Sequence, residues 1–419
     1  MTVQAGGDRL FRRVAGGVVL AVLLGCLSTG PVSAATSFTP RPGPTWNNPR
    51  GDYEARNVNM TKVRNTIDSV PRNGVIRIAV YSYNRRDIGD ALIRACRRHV
   101  SVQLVLNDNA IGAEAKRMIR YLGRDTRPRW KDRCHPRKFG PKREPYPVPS
   151  FFKVCQGACR LGSERSNQHA KFYLFSATGN GKPVVMFGSN NLMSFAANVH
   201  WNDLYTVVGN QKMFDDFSTD FAQMAQDRWR KNPYVAVQAG PYAVEFGSDP
   251  HANGRRDHIF QRLGKVGCRA PAGYGDAGHT TIRIMMYGWV GARGLMLARK
   301  VAVLSRAGCR VQVLVSGAGR RVHAVLHRSG VAIRRSALDL DDDPLTGFDE
   351  TGWELFSHEK WMSLSGTWAG EPFKGVWTGS ENWSDVSRFN DEVTVQVPFA
   401  SALAAYDRHF AMIWAQYSQ

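Results

Sequence analysis

Two histidine–lysine pairs offer the clearest chemistry in this sequence: His169 and Lys171 in "NQHAKFYLFS", and His358 and Lys360 in "SHEKWMSLSG". Each pair is followed by a Gly-Ser turn with an asparagine: Gly188, Ser189 and Asn191 in "VVMFGSNNL", Gly379, Ser380 and Asn382 in "GVWTGSENW". A third element adds an aspartate at a strand start, Asp203 in "WNDLYTVV" and Asp391 in "FNDEVTVQV". From histidine to glycine the gap is 19 residues in the first copy and 21 in the second; from histidine to aspartate it is 34 and 33. Residues two apart on a strand share a face, so each histidine points the same way as its lysine. Two lysines and two amides converging on a cleft would cradle a phosphate. One neutral imidazole can then attack phosphorus and form a phosphohistidine, while the other gives its proton to the leaving alkoxide. Asp203 and Asp391 are each expected to hold a histidine by its other ring nitrogen. Ser189 and Ser380 are expected to touch the substrate. A single copy would read as a buried histidine beside a snorkelling lysine. Two copies with their partners do not.

The elements that must position these groups are also duplicated. "VIRIAVYSYNRRDIGDALIRACRRHVSVQLVLND" (75–108) aligns with "TIRIMMYGWVGARGLMLARKVAVLSRAGCRVQVLVSG" (281–317). Both predict strand, amphipathic helix and β-branched strand, a βαβ unit with parallel strands. A further helix follows in each, "IGAEAKRMIRYLG" and "GRRVHAVLHRSG". The fold class is therefore α/β: two similar halves packed as a pseudo-two-fold pair, with mixed sheets flanked by helices. The expected divisions are a leader at 1–34, one half at 35–240 and another at 241–419. "NPYVAVQAGPYAVEFGSDPHANGRRDH" is expected as the linker, and the Pro- and Asn-rich residues 35–56 as an extended arm.

The doubled order His–Lys, Gly-Ser-x-Asn resembles the phospholipase D superfamily, whose signature is H-x-K-x4-D followed by G-S-x-N. The resemblance spans essentially the whole chain after the leader. It implies a two-lobed fold acting as a monomer, phosphodiester chemistry without cofactor or metal, His169 as nucleophile and His358 as acid and base. The likeness of the halves leaves the reverse assignment open. The sequence departs from the signature in one respect: the motif aspartate is replaced by Ser176 in the first copy and Ser365 in the second. His200, close behind the first Gly-Ser turn, is expected in an ordinary surface role.

Residues 1–34 read as a secretory leader, with a basic "DRLFRR", the apolar run "VAGGVVLAVLLG" and a cleavage site after Ala34. Arg12 and Arg13 permit a twin-arginine signal. Secretion is favoured over lipid anchoring at Cys26. Six cysteines remain, an even number that suits disulfides in an exported chain, and Cys268–Cys309 is the expected pair in the second half. Cys155, Cys159 and His135 have no second ligand pair at metal-like spacing.

The formal charge is +21; Arg9, Arg12 and Arg13 against Asp8 place +2 in the leader, so the rest carries +19. Such a charge outside the cell favours anionic partners: phospholipid surfaces, nucleic acid or wall polymers. Residues 124–165 hold twelve Lys/Arg against four Asp/Glu, with Trp130, Phe139, Tyr146, Phe151 and Phe152 interleaved. They are expected as a disulfide-pinned loop near the site, able to contact phosphates and bases. "DLDDDPLTGFDE" (339–350) lacks the spacing of a calcium loop and reads as a solvated turn. Trp361 and Trp377 are expected in the core, Trp353 and Trp368 in loops able to meet a membrane interface. Head-group hydrolysis or transfer on phospholipids is the first reading. A nuclease and a teichoic acid phosphodiesterase are the enzymatic alternatives, and a binder of anionic surfaces the non-enzymatic one.

Overall fold

A computed structural model describes residues 35–129, 131–136, 148–161, 165–247, 249–251, 253–338 and 355–419. Residues 1–34, expected as a leader, the acidic stretch 339–350, Trp353, and Trp130, Phe139 and Tyr146 of the basic stretch lie outside the described residues.

Both expected βαβ units are present. In the first, the strand Val75–Val80 runs through the helix Arg86–Arg97 into the parallel strand Ser101–Asn107. In the second, Thr281–Trp289 runs through Gly291–Arg306 into Arg310–Ala318. Every residue of Ser101–Asn107 is buried, as expected for a parallel strand covered on both faces. In each half the strand behind the H-x-K motif pairs antiparallel with the first strand of the unit: Phe172–Phe175 on Val75–Val80, and Lys360–Trp368 on Thr281–Trp289. The strand that ends in Gly-Ser follows, Val184–Gly188 or Glu371–Gly379, and then Asp203–Val208 or Val393–Val397.

A closing helix backs each sheet, Gln211–Gln226 and Ala400–Gln416. Phe214, Phe217, Phe221 and Met224 of the first and Tyr406, Phe410 and Ile413 of the second share one apolar cluster with residues of both sheets. Trp46 packs edge-on to Tyr406 at 5.0 Å, and Phe217 to Phe246 at 4.9 Å, so each closing helix touches the other half's strands. Two further clusters fill the outer layers. The halves share a core, and that fixes how their motifs face each other.

Three expectations change. The supposed linker is a hairpin, Val235–Ala239 pairing with Tyr242–Phe246, and it extends the second sheet by docking on Val393–Val397. Its alternating V-A-V and Y-A-V-E-F pattern has the period of a strand; Gly240, at φ +65°, makes the turn. The N-terminal arm is only partly extended. Gly43–Trp46 adds an edge strand against Asp203–Val208, and a helix starts at Tyr53 with Asp52 as its cap, the carboxylate accepting from Ala55 N at 2.8 Å. Trp368 ends a strand rather than lying in a loop; its indole donates to Arg262 O and packs on Trp377. Trp361 and Trp377 are core residues as expected.

The disulfides are Cys96–Cys134, Cys155–Cys159 and the expected Cys268–Cys309. The first two pin the basic loop at both ends. Among the described residues no helix is long and apolar enough to cross a membrane.

Candidate active site

The two H-x-K segments meet where the halves join, just ahead of the strands that carry them. Backbone bonds align them: His169 N donates to Asp391 O, and His358 N to Trp201 O. Each motif is thus registered on the opposite half. A short sheet, in which His200–Trp201 pairs parallel with Leu355–Ser357, completes one junction. Lys171 and Lys360 are buried, and each Nζ donates to the carbonyl of its own motif histidine.

The histidines are not held by Asp203 and Asp391. Glu392 lies 2.8 and 2.9 Å from His169 Nδ1 through its two carboxylate oxygens. Asn202 Oδ1 lies 3.0 Å from His358 Nδ1. Each histidine is therefore oriented by a residue of the other half, and its Nε2 is left for chemistry. Asp203 instead accepts from Ser189 N, from the Thr378 hydroxyl and from Tyr406, tying the first Gly-Ser turn to the second half. Asp391 accepts from Arg160 Nε at 2.8 Å and Cys159 N at 2.6 Å. Both aspartates are fully buried struts.

The sheet register explains the exchange. Gly188 pairs with Leu204 and Gly379 with Thr394. Counting back two residues from each partner makes Asn202 the structural counterpart of Glu392, two residues out of step with the alignment of "ND" on "ND". A two-residue slip keeps the same sheet face, so hydrophobic alternation does not reveal it.

Ser189 and Ser380 brace the site from below rather than line it. Both are fully buried, and their hydroxyls accept Asp203 N and Val393 N, each at 3.0 Å. Ser380 also donates to Glu392 at 2.5 Å. Glycine precedes them for space. A Cβ at Gly188 would meet Asp203 O at 2.5 Å, and one at Gly379 would collide with Val393 O. Asn191 Oδ1 accepts from Ser82 N and Asn382 Oδ1 from Gly288 N, an arrangement that leaves both Nδ2 groups to donate elsewhere.

Residues 73–225 match the family described as cardiolipin synthase, PLD-like domain. They are a phospholipase D-like domain. No curated protein matches the chain by sequence. Among solved structures, phosphatidylserine synthase of Haemophilus influenzae superposes at a TM-score of 0.53 with 12% identity, covering 87% of this chain and 85% of that one. Polyphosphate kinase of Porphyromonas gingivalis gives a TM-score of 0.49 at 11% identity, covering 89% of this chain; the chain spans 49% of that protein. Yeast tyrosyl-DNA phosphodiesterase gives 0.43 at 11%, covering 85% and 89%.

In this site, burial sets the ionisation. It pushes His169 down to about 4, with Glu392 working in the opposite direction. His358 also falls well below the ordinary histidine value, through burial and then the charge of Lys360. Burial lowers Lys171 to about 7 and moves Lys360 down too, Lys171 adding to the effect. An anionic phosphate between the lysines would reverse these shifts.

The two sides of the cleft differ. Around His169 stand Asn109, Asn167 and Asn390, with Tyr81 edge-on at 5.4 Å. Around His358 stand rings: Tyr287 at 4.7 Å and His200 at 5.2 Å. His200 is thus no ordinary surface residue. The serines at the missing aspartate positions lie five residues down their strands, about 17 Å from the lysines at a strand's rise. Ser176 Oγ accepts Val75 N and Ser365 Oγ accepts Gly275 N, each a backbone brace at the far end of its sheet.

Proposed function

We propose that the chain is a phosphodiesterase of the phospholipase D type that works through a phosphohistidine on His169. The convergence of two histidines, each oriented from the opposite half, on two buried lysines carries this reading. His169 Nε2 attacks phosphorus, the bond to the leaving oxygen breaks, and that oxygen takes the Nε2 proton of His358. His358 then accepts a proton from water or an alcohol, whose oxygen attacks phosphorus as the P–N bond breaks and its electron pair returns to His169. The lysines and the Asn191 and Asn382 Nδ2 groups hold the phosphoryl oxygens through both steps.

The partners of the histidines support this division of labour. A carboxylate stabilises the positive charge that His169 gains when phosphorylated, so Glu392 suits the nucleophile. The neutral amide of Asn202 leaves His358 readier to give up its proton, so it suits the acid.

Phospholipid is the preferred substrate and the exported form the working one. Support comes from the secretory leader, the net positive charge and the cardiolipin synthase description of the matching family. One observation favours a phosphodiester polymer, nucleic or teichoic acid, instead: a cavity of about 580 Å³ lined by Arg120, Arg129, Lys131 and Arg133.

The deciding assay is phosphatidic acid release from mixed phospholipid vesicles in excess EDTA, beside His169→Ala. Release by the wild type alone is the expected result. Release by both proteins would overturn His169 as nucleophile. Release by neither would move the same pair to DNA, RNA and teichoic acid, and silence on all of these would leave an anionic-surface binder.

A further inference from the structure

His200 belongs to no motif, yet its ring lies against the ring of His358, centroids 5.2 Å apart and planes 23° apart. Two further rings pack on it: Phe356 at 4.1 Å and Phe195 edge-on at 5.4 Å. Both ring nitrogens are buried without a hydrogen-bond partner among the described residues. Buried polar atoms are rarely left unpaired, so the position calls for an explanation.

The backbone around His200 is clamped. Asn47 Nδ2 donates to His200 O at 2.7 Å, and Asn47 Oδ1 accepts Asn202 N at 2.8 Å. Three consecutive residues thus converge on His358: the His200 ring stacks on its ring, Trp201 O accepts its backbone N–H, and Asn202 accepts its Nδ1–H. The register that equates Asn202 with Glu392 equates His200 with Asn390. Asn390 does something different, accepting Asn167 N at 2.9 Å and donating to Glu392 at 3.2 Å. The nucleophile's side braces a carboxylate; the acid's side covers the ring itself.

We propose that His200 is a positioning residue for His358, its neutral ring holding the acid/base imidazole in plane and keeping water from it. This rests on the reading of His358 as the proton donor. The other groups facing His358 are Lys360 on its own segment, Lys171 and His169 from the other motif, and the Tyr287 ring. All of the cationic ones disfavour a proton on His358, so a charged His200 would make it a poorer acceptor in the second step. Burial, followed by Lys360, pushes His200 down to about 3 and keeps it neutral.

The test uses leaving groups. A p-nitrophenolate departs without a proton, whereas an alkoxide needs one. The full chain and its His200→Ala, His200→Phe and His358→Ala variants are assayed on two diesters that differ only in that alcohol. In the first step, read as the burst of alcohol release, His200→Ala should lose about 10–100-fold on the alkyl ester and no more than about threefold on the p-nitrophenyl ester. His200→Phe, which restores the ring without its nitrogens, should recover most of the loss. Equal losses on both esters in that first step, or a His200→Phe as slow as His200→Ala, would overturn the proposal. If His358→Ala itself keeps wild-type rates on the alkyl ester, the reading of His358 fails first. A readout without turnover is the His358 Hε1 resonance, which should titrate at higher pH in His200→Ala as water reaches the ring; an unchanged titration would sink the idea.

Discussion

Glu392 and His169 lie 223 residues apart in the chain and in opposite halves, yet the carboxylate is 2.8 Å from the imidazole Nδ1. Asn202 stands in the same relation to His358 from the other side. The site is a product of the junction, and neither half carries a complete one.

Exchanging these two partners should separate the two histidines' roles. Glu392→Gln is expected to cost about 10²-fold or more in kcat, since an amide stabilises phosphorylated His169 poorly. Asn202→Asp places a carboxylate beside His358, raises its affinity for the proton and moves the alkaline limb of the rate profile to higher pH. A pH–rate series on both variants checks this, and identical effects would contradict the assigned asymmetry.

The wild-type profile of kcat/KM follows from the free enzyme's ionisations. His169, at about 4, must be neutral to attack, so activity falls as pH drops towards 4. Lys171, at about 7, must be charged to hold phosphate, so activity falls as pH rises through 7. Lys171→Arg should lose only the part of that limb due to the lysine and keep the part set by His358, with a lower maximum from its different geometry.

The same burial makes His200 a liability in acid. Its value of about 3 lies below that of an unfolded histidine, so between about pH 6.5 and pH 3 the unfolded chain binds the extra proton. This contribution lowers stability as pH falls through that window. The Tm of His200→Phe relative to wild type should therefore rise steadily between pH 7 and pH 4, measured by calorimetry. A constant difference would argue that the ring titrates normally.

Asp391 and Glu392 are neighbours with different work. Arg160, fully buried, pairs with Asp391 and with Asp220, and binds the halves together. Asp391→Ala leaves that guanidinium with a partner missing and should cost about 3–5 kcal/mol of stability. Glu392→Gln should cost far more activity than stability. Urea denaturation and kinetics on the two variants give opposite rankings if this is right.

Cys268–Cys309 closes a loop with a sequence separation of 41. Chain-entropy arguments give about 4 kcal/mol for such a loop, so the paired serine variant should unfold at clearly lower denaturant. Its kcat should change little, because the bond lies near the N-terminal ends of the second sheet's parallel strands, away from His358.

Much of this was legible in the sequence. Strand and helix periods, the doubled βαβ unit, the two H-x-K pairs, the G-S-x-N turns and one disulfide are local patterns, and local sterics and amphipathicity specify them. The reading failed where a role depended on register between halves. Asp203 and Asp391 looked equivalent by letter, but hydrogen-bond pairing equates Asn202 with Glu392, and a two-residue slip leaves no trace in alternation. Ser189 and Ser380 carry polar side chains that the sheet turns inward to its own backbone. His200 has no motif at all, and only the parallel pairing of His200–Trp201 with Leu355–Ser357 brings it onto His358. The sequence by itself determined which groups could attack, donate and bind a phosphate. Tertiary structure decided which residue orients each of them, because those contacts span the chain and arise only when two sheets pack on one core.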